Sequence, residues 1–395
     1  MNNNSIEFTK KYLKYKYKYI TLKDQSFSTY DTKIKQTGGA YDFVCVIDED
    51  GPFASVKECY KKSTSTISYD IEPPLRLWQD SDEGRPLKAT SFGCELTYTK
   101  REYDKAELTL EGQNKNKRRF ILLDTFVRFG KHNDGLYYHR HARDNLIRWA
   151  ADKPQMPTDK KCIVTVIEDD WGVVAQKYTM LYGKCFAVLN MANGFNPGGG
   201  YTRGAAAQEE NMFRRTDCHF SLRRYDTIIQ DETSKSKCKW VYTQTQSDLI
   251  NGVNKYVYLD MKKARVCIRG PEDYLRADLG YSWLEDNEVF PFYELRAAAV
   301  NLTGREEMYD HVETCKRIAA QFNTLRVSGV RHVVLSAFGC GAFSNPPEDV
   351  AKAYYDELMK QHTYFDVVVF AIFYAGTGLN NYSVFDKQFS TWNVS

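Results

Sequence analysis

Phe186-Ala187-Val188-Leu189-Asn190 runs directly into Met191-Ala192-Asn193-Gly194-Phe195-Asn196-Pro197-Gly198-Gly199-Gly200. Then follow Tyr201-Thr202-Arg203-Gly204-Ala205-Ala206-Ala207-Gln208-Glu209-Glu210. A short apolar run that stops at turn residues reads as a buried strand. Three consecutive glycines permit positive φ and leave backbone N–H groups accessible, so the loop can approach a phosphate or a ribose closely. From Ala205 the residues favour helix, which puts Gln208, Glu209 and Glu210 near a helix start. Strand, glycine loop and helix in succession form the repeating unit of an α/β sheet.

The same alternation extends on both sides. Upstream, the spacing predicts a polar helix over about 140–151. Cys162-Ile163-Val164-Thr165-Val166-Ile167 reads as a buried strand. Asp169 or Asp170 can cap a helix over 171–181, and Gly183 can end it. Downstream, strands are expected near 264–268 and 296–302. A helix is expected over about 306–328, its apolar face formed by Met308, Val312, Cys315, Ala319, Phe322 and Leu325, with Gly329 ending it. Val333-Val334-Leu335 is the next strand. Pro346-Pro347 opens a helix carrying Val350, Tyr354 and Leu358. Residues 365–373 form a last, almost wholly apolar strand. Continuous apolar strands alternating with helices mean a sheet covered on both faces. Between 221 and 294 charged and aromatic residues mix without period, and long loops with some helix are expected, lying over the site.

Before residue 135 the texture changes. Short runs alternate with period two: Tyr15-Lys16-Tyr17-Lys18-Tyr19-Ile20-Thr21-Leu22, Phe43-Val44-Cys45-Val46-Ile47 and Arg119-Phe120-Ile121-Leu122-Leu123. Turn signals at Gly38-Gly39, Asp50-Gly51-Pro52 and Pro73-Pro74 separate them. This reads as a β-rich accessory module over 1–135, followed by a catalytic domain over 136–395. The Tyr/Lys alternation fits a half-buried strand with a lysine-rich solvent face.

The 395 residues carry 54 basic and 51 acidic side chains, net +3, a balance that does not indicate a dedicated nucleic-acid binder. No run of eighteen apolar residues occurs, so no membrane span is expected. The polar stretch 1–9 gives no secretory signal, and a cytoplasmic or nuclear location is expected. Ten scattered cysteines make no CxxC pair and read as free thiols, several of them buried, such as Cys162, Cys185 and Cys267. His139 and His141 flank Arg140 and read as surface residues. No metal or cofactor is expected, since paired carboxylates suffice for glycoside chemistry.

At a helix N-terminus carboxylates are favoured ionised, yet adjacent acids raise each other's pKa. One of Glu209 and Glu210 can therefore donate a proton to a departing sugar oxygen while the other orients hydroxyls. The glycine triplet, a seven-residue spacer and Gln208-Glu209-Glu210 resemble the signature of poly(ADP-ribose) glycohydrolases, and the flanking residues 188–200 are most similar to the microbial-type members. Leu335-Ser336-Ala337-Phe338-Gly339-Cys340-Gly341-Ala342-Phe343-Ser344-Asn345 resembles the second ligand loop of that family. The resemblance covers about 146–385, though 221–294 matches poorly. It implies a macrodomain, a mixed sheet sandwiched between helices, with ADP-ribose at the strand ends. It implies Glu210 as catalytic acid/base, Glu209 holding the reacting ribose hydroxyls and Asn193 contacting that ribose. Gly198, Gly199 and Gly200, with Gly339, Cys340, Gly341, Ala342 and Phe343, would cradle the diphosphate, and Asn345 falls in the same ligand loop. Phe370 or, by preference, Phe373 would stack on adenine, and Gln208 would support the turn. The implied substrate is poly(ADP-ribose) or an ADP-ribosylated protein, with the N-terminal module selecting a protein target. Two other readings are a mono-ADP-ribosyl hydrolase, for instance of ADP-ribosyl-arginine, and a reader that binds ADP-ribose without cutting. The intact carboxylate pair argues against the reader.

Overall fold

A computed structural model describes residues 42–45, 87–91, 94–98, 105–106, 108–130, 137–151, 153, 162–222, 227–232, 237–304, 308–374 and 380–392. The 15–22 alternation and the turn signals at 38–39, 50–52 and 73–74 lie outside them. Strands β1 (Asp42–Cys45), β2 (Leu87–Ser91) and β3 (Cys94–Tyr98) form a small three-stranded sheet. Helices α1 (Leu110–Gly130) and α2 (Tyr137–Ala151) follow. Next come β4 (Ile163–Ile167), α3 (Trp171–Tyr182), β5 (Ala187–Met191) and α4 (Gln208–Arg215). A hairpin of β6 (Thr227–Glu232) and β7 (Lys237–Tyr242) leads to α5 (Gln244–Ile250), β8 (Tyr258–Leu259), β9 (Arg265–Cys267) and β10 (Phe290–Ala297). The chain ends with α6 (His311–Val327), β11 (His332–Leu335), α7 (Pro347–Met359), β12 (Val367–Ala371) and α8 (Asn381–Phe389).

The large sheet has seven strands in the order β4-β12-β11-β5-β10-β8, with β9 pairing the outer part of β10. From β4 to β10 every pairing is parallel, whereas β8 and β9 run antiparallel to β10. Both faces are buried, and the strand periodicity distributes side chains between two cores. On β12, Val367, Val369 and Ala371 enter one core while Val368 and Phe370 enter the other. The first core also takes Leu122, Phe126 and Phe129 of α1, Tyr138 of α2, Trp171 and Val174 of α3, and Phe213 of α4. The second takes Ile318, Phe322 and Leu325 of α6, Tyr354 and Leu358 of α7, and Phe385 of α8. This is an α/β sandwich, a mostly parallel sheet covered by helices on both faces, as the strand–helix alternation implied.

Several expectations need correction. The 119–123 run is helical, not a strand: Leu122, Phe126 and Phe129 recur at helical spacing and all face the core. Five residues are too few to separate period two from 3.6. β4 is the sheet's edge strand, with Ile163 42 % exposed, so its apolar run is only half covered. The strand expected at 296–302 lies at 290–297 instead. Pro291 and the charged Glu294 and Arg296 hid it, although both charges are buried and bonded to each other. Helix α6 begins at His311, where Asp310 accepts from the Glu313 N–H. Met308 lies before it, and Met308 and Val312 are both exposed, so neither belongs to its core face. Region 221–294 contains the hairpin, α5, β8 and β9 rather than mainly loops. His139 is half-buried, its Nε2 3.1 Å from Asp217 Oδ2. The cap of α3 is Asp170, accepting from the Gly172 and Val173 N–H groups, and Gly183 ends the helix at φ 60°.

Candidate active site

β5 and β11 are adjacent parallel strands, so the loops leaving their C-terminal ends emerge side by side. The end of β10 lies against both: a Cβ on Gly194 would meet Ala298 at 3.2 Å, and one on Gly339 would meet Ala299 at 2.5 Å. The 191–207 loop, the 336–346 loop and the first turn of α4 are thus brought to one end of the sheet.

In the first loop, Asn193 makes an Asx turn. Its Oδ1 accepts from the Phe195 and Asn196 N–H groups at 2.9 and 2.8 Å, and its own N–H donates to Glu209 Oε2 at 2.8 Å. Gly198 and Gly199 have φ of 70° and 60°, conformations that glycine adopts without steric cost. A Cβ on Gly199 would lie 2.5 Å from Glu210 Oε1 and 2.9 Å from Glu209 Oε2, so this backbone is pressed between the two carboxylates. The Gly200 N–H donates to Glu210 Oε1 at 2.7 Å. Gln208 brackets β5, receiving the Met191 N–H at 3.0 Å and donating to the Leu189 carbonyl at 2.9 Å. Gly194 and Phe195 are fastened from the other side: Ser247 donates to the Gly194 carbonyl and the Tyr242 N–H to that of Phe195.

Glu209 and Glu210 are 2 % and 7 % exposed. Each has one satisfied oxygen and one buried oxygen, Oε1 of Glu209 and Oε2 of Glu210, that accepts no hydrogen bond among the described residues. A buried carboxylate oxygen without a donor is costly, and a sugar hydroxyl or a protonated bridging oxygen satisfies it. Burial first, and the charge of Glu210 second, push the Glu209 carboxyl well above the ordinary carboxylate range; the Asn193 N–H and Arg296 pull the other way. Glu209 therefore retains its proton where an isolated carboxyl would have lost it.

The N–H groups expected to cradle a diphosphate differ in whether they are already bonded within the protein. The Gly199 and Gly200 N–H groups are committed, to the Asn196 carbonyl and to Glu210. In the second loop, the N–H groups of Gly341, Ala342 and Phe343 donate to none of the described residues, and Gly341 and Ala342 are exposed. Successive free N–H groups form an anion-binding concavity. Gly339 has φ 78°. Cys340 is half-buried, its thiol pushed above the usual range by burial. Asn345 was expected among ligand contacts, but it is 3 % exposed and its Nδ2 donates to the carbonyls of Val300, Gly339 and Phe343 at 2.7, 3.1 and 3.4 Å. With its amide protons spent on these carbonyls, its part is to hold the loop's shape and tie it to the segment after β10.

Phe370 is fully buried against Tyr354, Phe385 and Phe389, which removes it as an adenine platform. Phe373, just past β12, is 54 % exposed. Tyr274, unnoticed in the sequence, is 47 % exposed and lies 6.1 Å from it with rings 23° from parallel. Also missed is a buried ionic knot beneath the carboxylates. Arg296 donates to both oxygens of Glu294 at 2.9 Å and to Ser221, and Asn190 of β5 donates to Glu294 at 2.7 Å. Charges two apart in an otherwise apolar strand were its signal. Burial alone would raise the Glu294 carboxyl; Arg296 and Arg265 beside it hold it below its usual range instead. Among the described residues no group of three His, Cys, Asp or Glu is arranged to hold a metal, and no helix is long and apolar enough to cross a membrane.

Residues 106–246, which include α1, the glycine loop and both carboxylates, match the family model of the microbial-type PARG catalytic domain. No curated protein matches this chain. Among solved structures it is similar to poly(ADP-ribose) glycohydrolase from Thermomonospora curvata, at 21 % identity and a TM-score of 0.48, over 69 % of this chain and 99 % of that one. It is also similar to poly(ADP-ribose) glycohydrolase from Deinococcus radiodurans in complex with ADP-ribose, at 21 % identity and a TM-score of 0.40, over 64 % of this chain and 91 % of that one. The match to the catalytic domain begins at residue 106, ahead of the boundary that sequence texture suggested.

Proposed function

We propose that this protein hydrolyses the O-glycosidic bonds of poly(ADP-ribose) and releases ADP-ribose. The observation that carries the reading is the carboxylate pair: two adjacent buried glutamates, each with one oxygen fixed by a backbone N–H of the glycine loop and one left to meet a ligand. Glu210 is the acid/base. It gives its proton to the oxygen leaving the anomeric carbon as the C–O bond breaks, then takes one from the water that bonds to that carbon, so charge and protons balance. Glu209 accepts hydrogen bonds from hydroxyls of the reacting ribose, and Asn193 meets the same sugar through Nδ2. The N–H groups of residues 341–343 take the diphosphate and Phe373 takes adenine, with Tyr274 at its side. The match of residues 106–246 to the microbial-type PARG catalytic domain supports a ligand of this class. Residues before α1 are proposed to contact a protein target.

The test is a substrate panel: poly(ADP-ribose), and proteins singly ADP-ribosylated through serine or through arginine. Release of ADP-ribose from the polymer at a rate above that from both singly modified proteins is expected. Cleavage of the arginine linkage alone would replace this reading with that of a mono-ADP-ribosyl hydrolase. Tight ADP-ribose binding with no release from any substrate would make the protein a reader.

A further inference from the structure

The turn joining the glycine loop to the carboxylates is gripped by residues outside the strand–loop–helix unit. Arg118 of α1, 5 % exposed, donates Nε and Nη2 to Glu272 Oε1 at 2.9 and 2.7 Å, and its Nη1 reaches the Gly204 carbonyl at 3.4 Å. Arg214 of α4 donates to the next carbonyl, that of Ala205, at 2.7 Å. Both arginines face one carboxylate. Arg214 Nη2 is 3.8 Å from Glu272 Oε2, which also accepts from the Tyr281 hydroxyl at 2.6 Å. Tyr281 in turn accepts from Arg214 Nε at 2.9 Å. α1 also touches both ends of the unit. A Cβ on Gly204 would lie 2.2 Å from the Lys115 carbonyl oxygen, and Thr125 donates to the Arg214 carbonyl at 2.6 Å.

We infer that Arg118 is a positioning residue for the reaction. With Glu272 it clamps the 204–205 turn and so fixes Glu210 relative to the anomeric carbon. Helix α1 then belongs to the catalytic unit and not to a separable N-terminal module. The path is short. The Gly200 carbonyl accepts from the Arg203 and Ala205 N–H groups, and the Gly200 N–H holds Glu210, so a shift at 204–205 reaches the carboxylate within one turn. Misplacing a reacting group by about 1 Å costs about a hundredfold in rate. Lysine does not replace Arg118, because a single ammonium cannot present the planar fork that spans Glu272 and Gly204.

The inference rests on Glu210 being the proton donor, so two readouts are combined. One is kinetics on poly(ADP-ribose) for the full chain and its Arg118→Met, Arg118→Lys, Arg118→Ala and Glu272→Gln variants, with rates normalised to ADP-ribose-binding sites. The other is amide exchange of residues 199–210, which does not depend on turnover. Arg118→Met and Arg118→Lys should lose at least about tenfold in kcat with KM within about threefold, and ethylguanidinium should restore part of the Arg118→Ala loss. Exchange at 199–210 should quicken while that of β5 stays unchanged. Rates per binding site equal to the parent chain, a loss confined to KM, or unchanged exchange at 199–210 would overturn the clamp. A parent chain that releases no ADP-ribose would instead count against the proposed reaction, and the exchange readout would still decide the clamp.

Discussion

Gly199 has space for a hydrogen atom and nothing larger, since its missing Cβ would fall between Glu209 and Glu210. Gly199→Ala should therefore push a carboxylate aside and also strain a φ of 60°, at about 1–2 kcal/mol for the backbone. ADP-ribose release by that variant should fall at least about a hundredfold while its melting curve remains cooperative; activity near the parent level would show that the carboxylate spacing is not critical. Glu209 gives a pH test. Its pKa is raised by burial and by Glu210, so the stability it contributes is full below the unfolded-state value of 4.5 and is lost as pH rises through the folded-state value. Glu209→Gln removes that titration. Between about pH 5 and pH 8 the parent chain should lose more melting temperature than the variant, and parallel curves would contradict the assignment. These residues were legible because glycine triplet, spacer and acid pair are contiguous in the chain. The loop-holding part of Asn345 was not, since its partners Val300 and Gly339 come together only in the fold.

At the scale of elements, β12 separates two phenylalanines that the sequence left as alternatives. Phe370 packs between α7 and α8, whereas Phe373 stands past the strand end beside Tyr274. Phe370→Ala should cost about 3–5 kcal/mol of stability by opening a cavity. Phe373→Ala should leave the melting temperature nearly unchanged and weaken ADP-ribose binding at least about tenfold, because a lost aromatic stack is worth about 1–3 kcal/mol. Calorimetric titration and thermal unfolding of the two variants separate the roles; equal affinity in Phe373→Ala would move adenine elsewhere. Strands β5, β11 and β12 were readable because they are buried on both faces and almost wholly apolar. α1 and β10 were not. The first offered a five-residue stretch with two periods in it, and the second hides an ion pair whose charges look like surface until Glu294 and Arg296 are seen bonded to each other.

At the scale of the whole molecule, a mostly parallel sheet with two cores brings the ends of β5, β10 and β11 to one place. That placement brings together two loops about 140 residues apart in sequence. Alternating strands and helices made the layered architecture legible from sequence. The attachment of α1 was not, because it depends on contacts from Arg118 to Glu272 across 154 positions of the chain. The proposed function turns on the carboxylate pair, and Glu210→Gln addresses it with the least disturbance, keeping the Gly200 N–H bond to the retained carbonyl oxygen. ADP-ribose affinity and release of ADP-ribose from poly(ADP-ribose) are measured together on parent and variant. Affinity within about threefold of the parent with turnover reduced about 10²–10⁴-fold is the predicted result. Turnover by Glu210→Gln equal to the parent's would contradict the assignment of Glu210 as the proton donor.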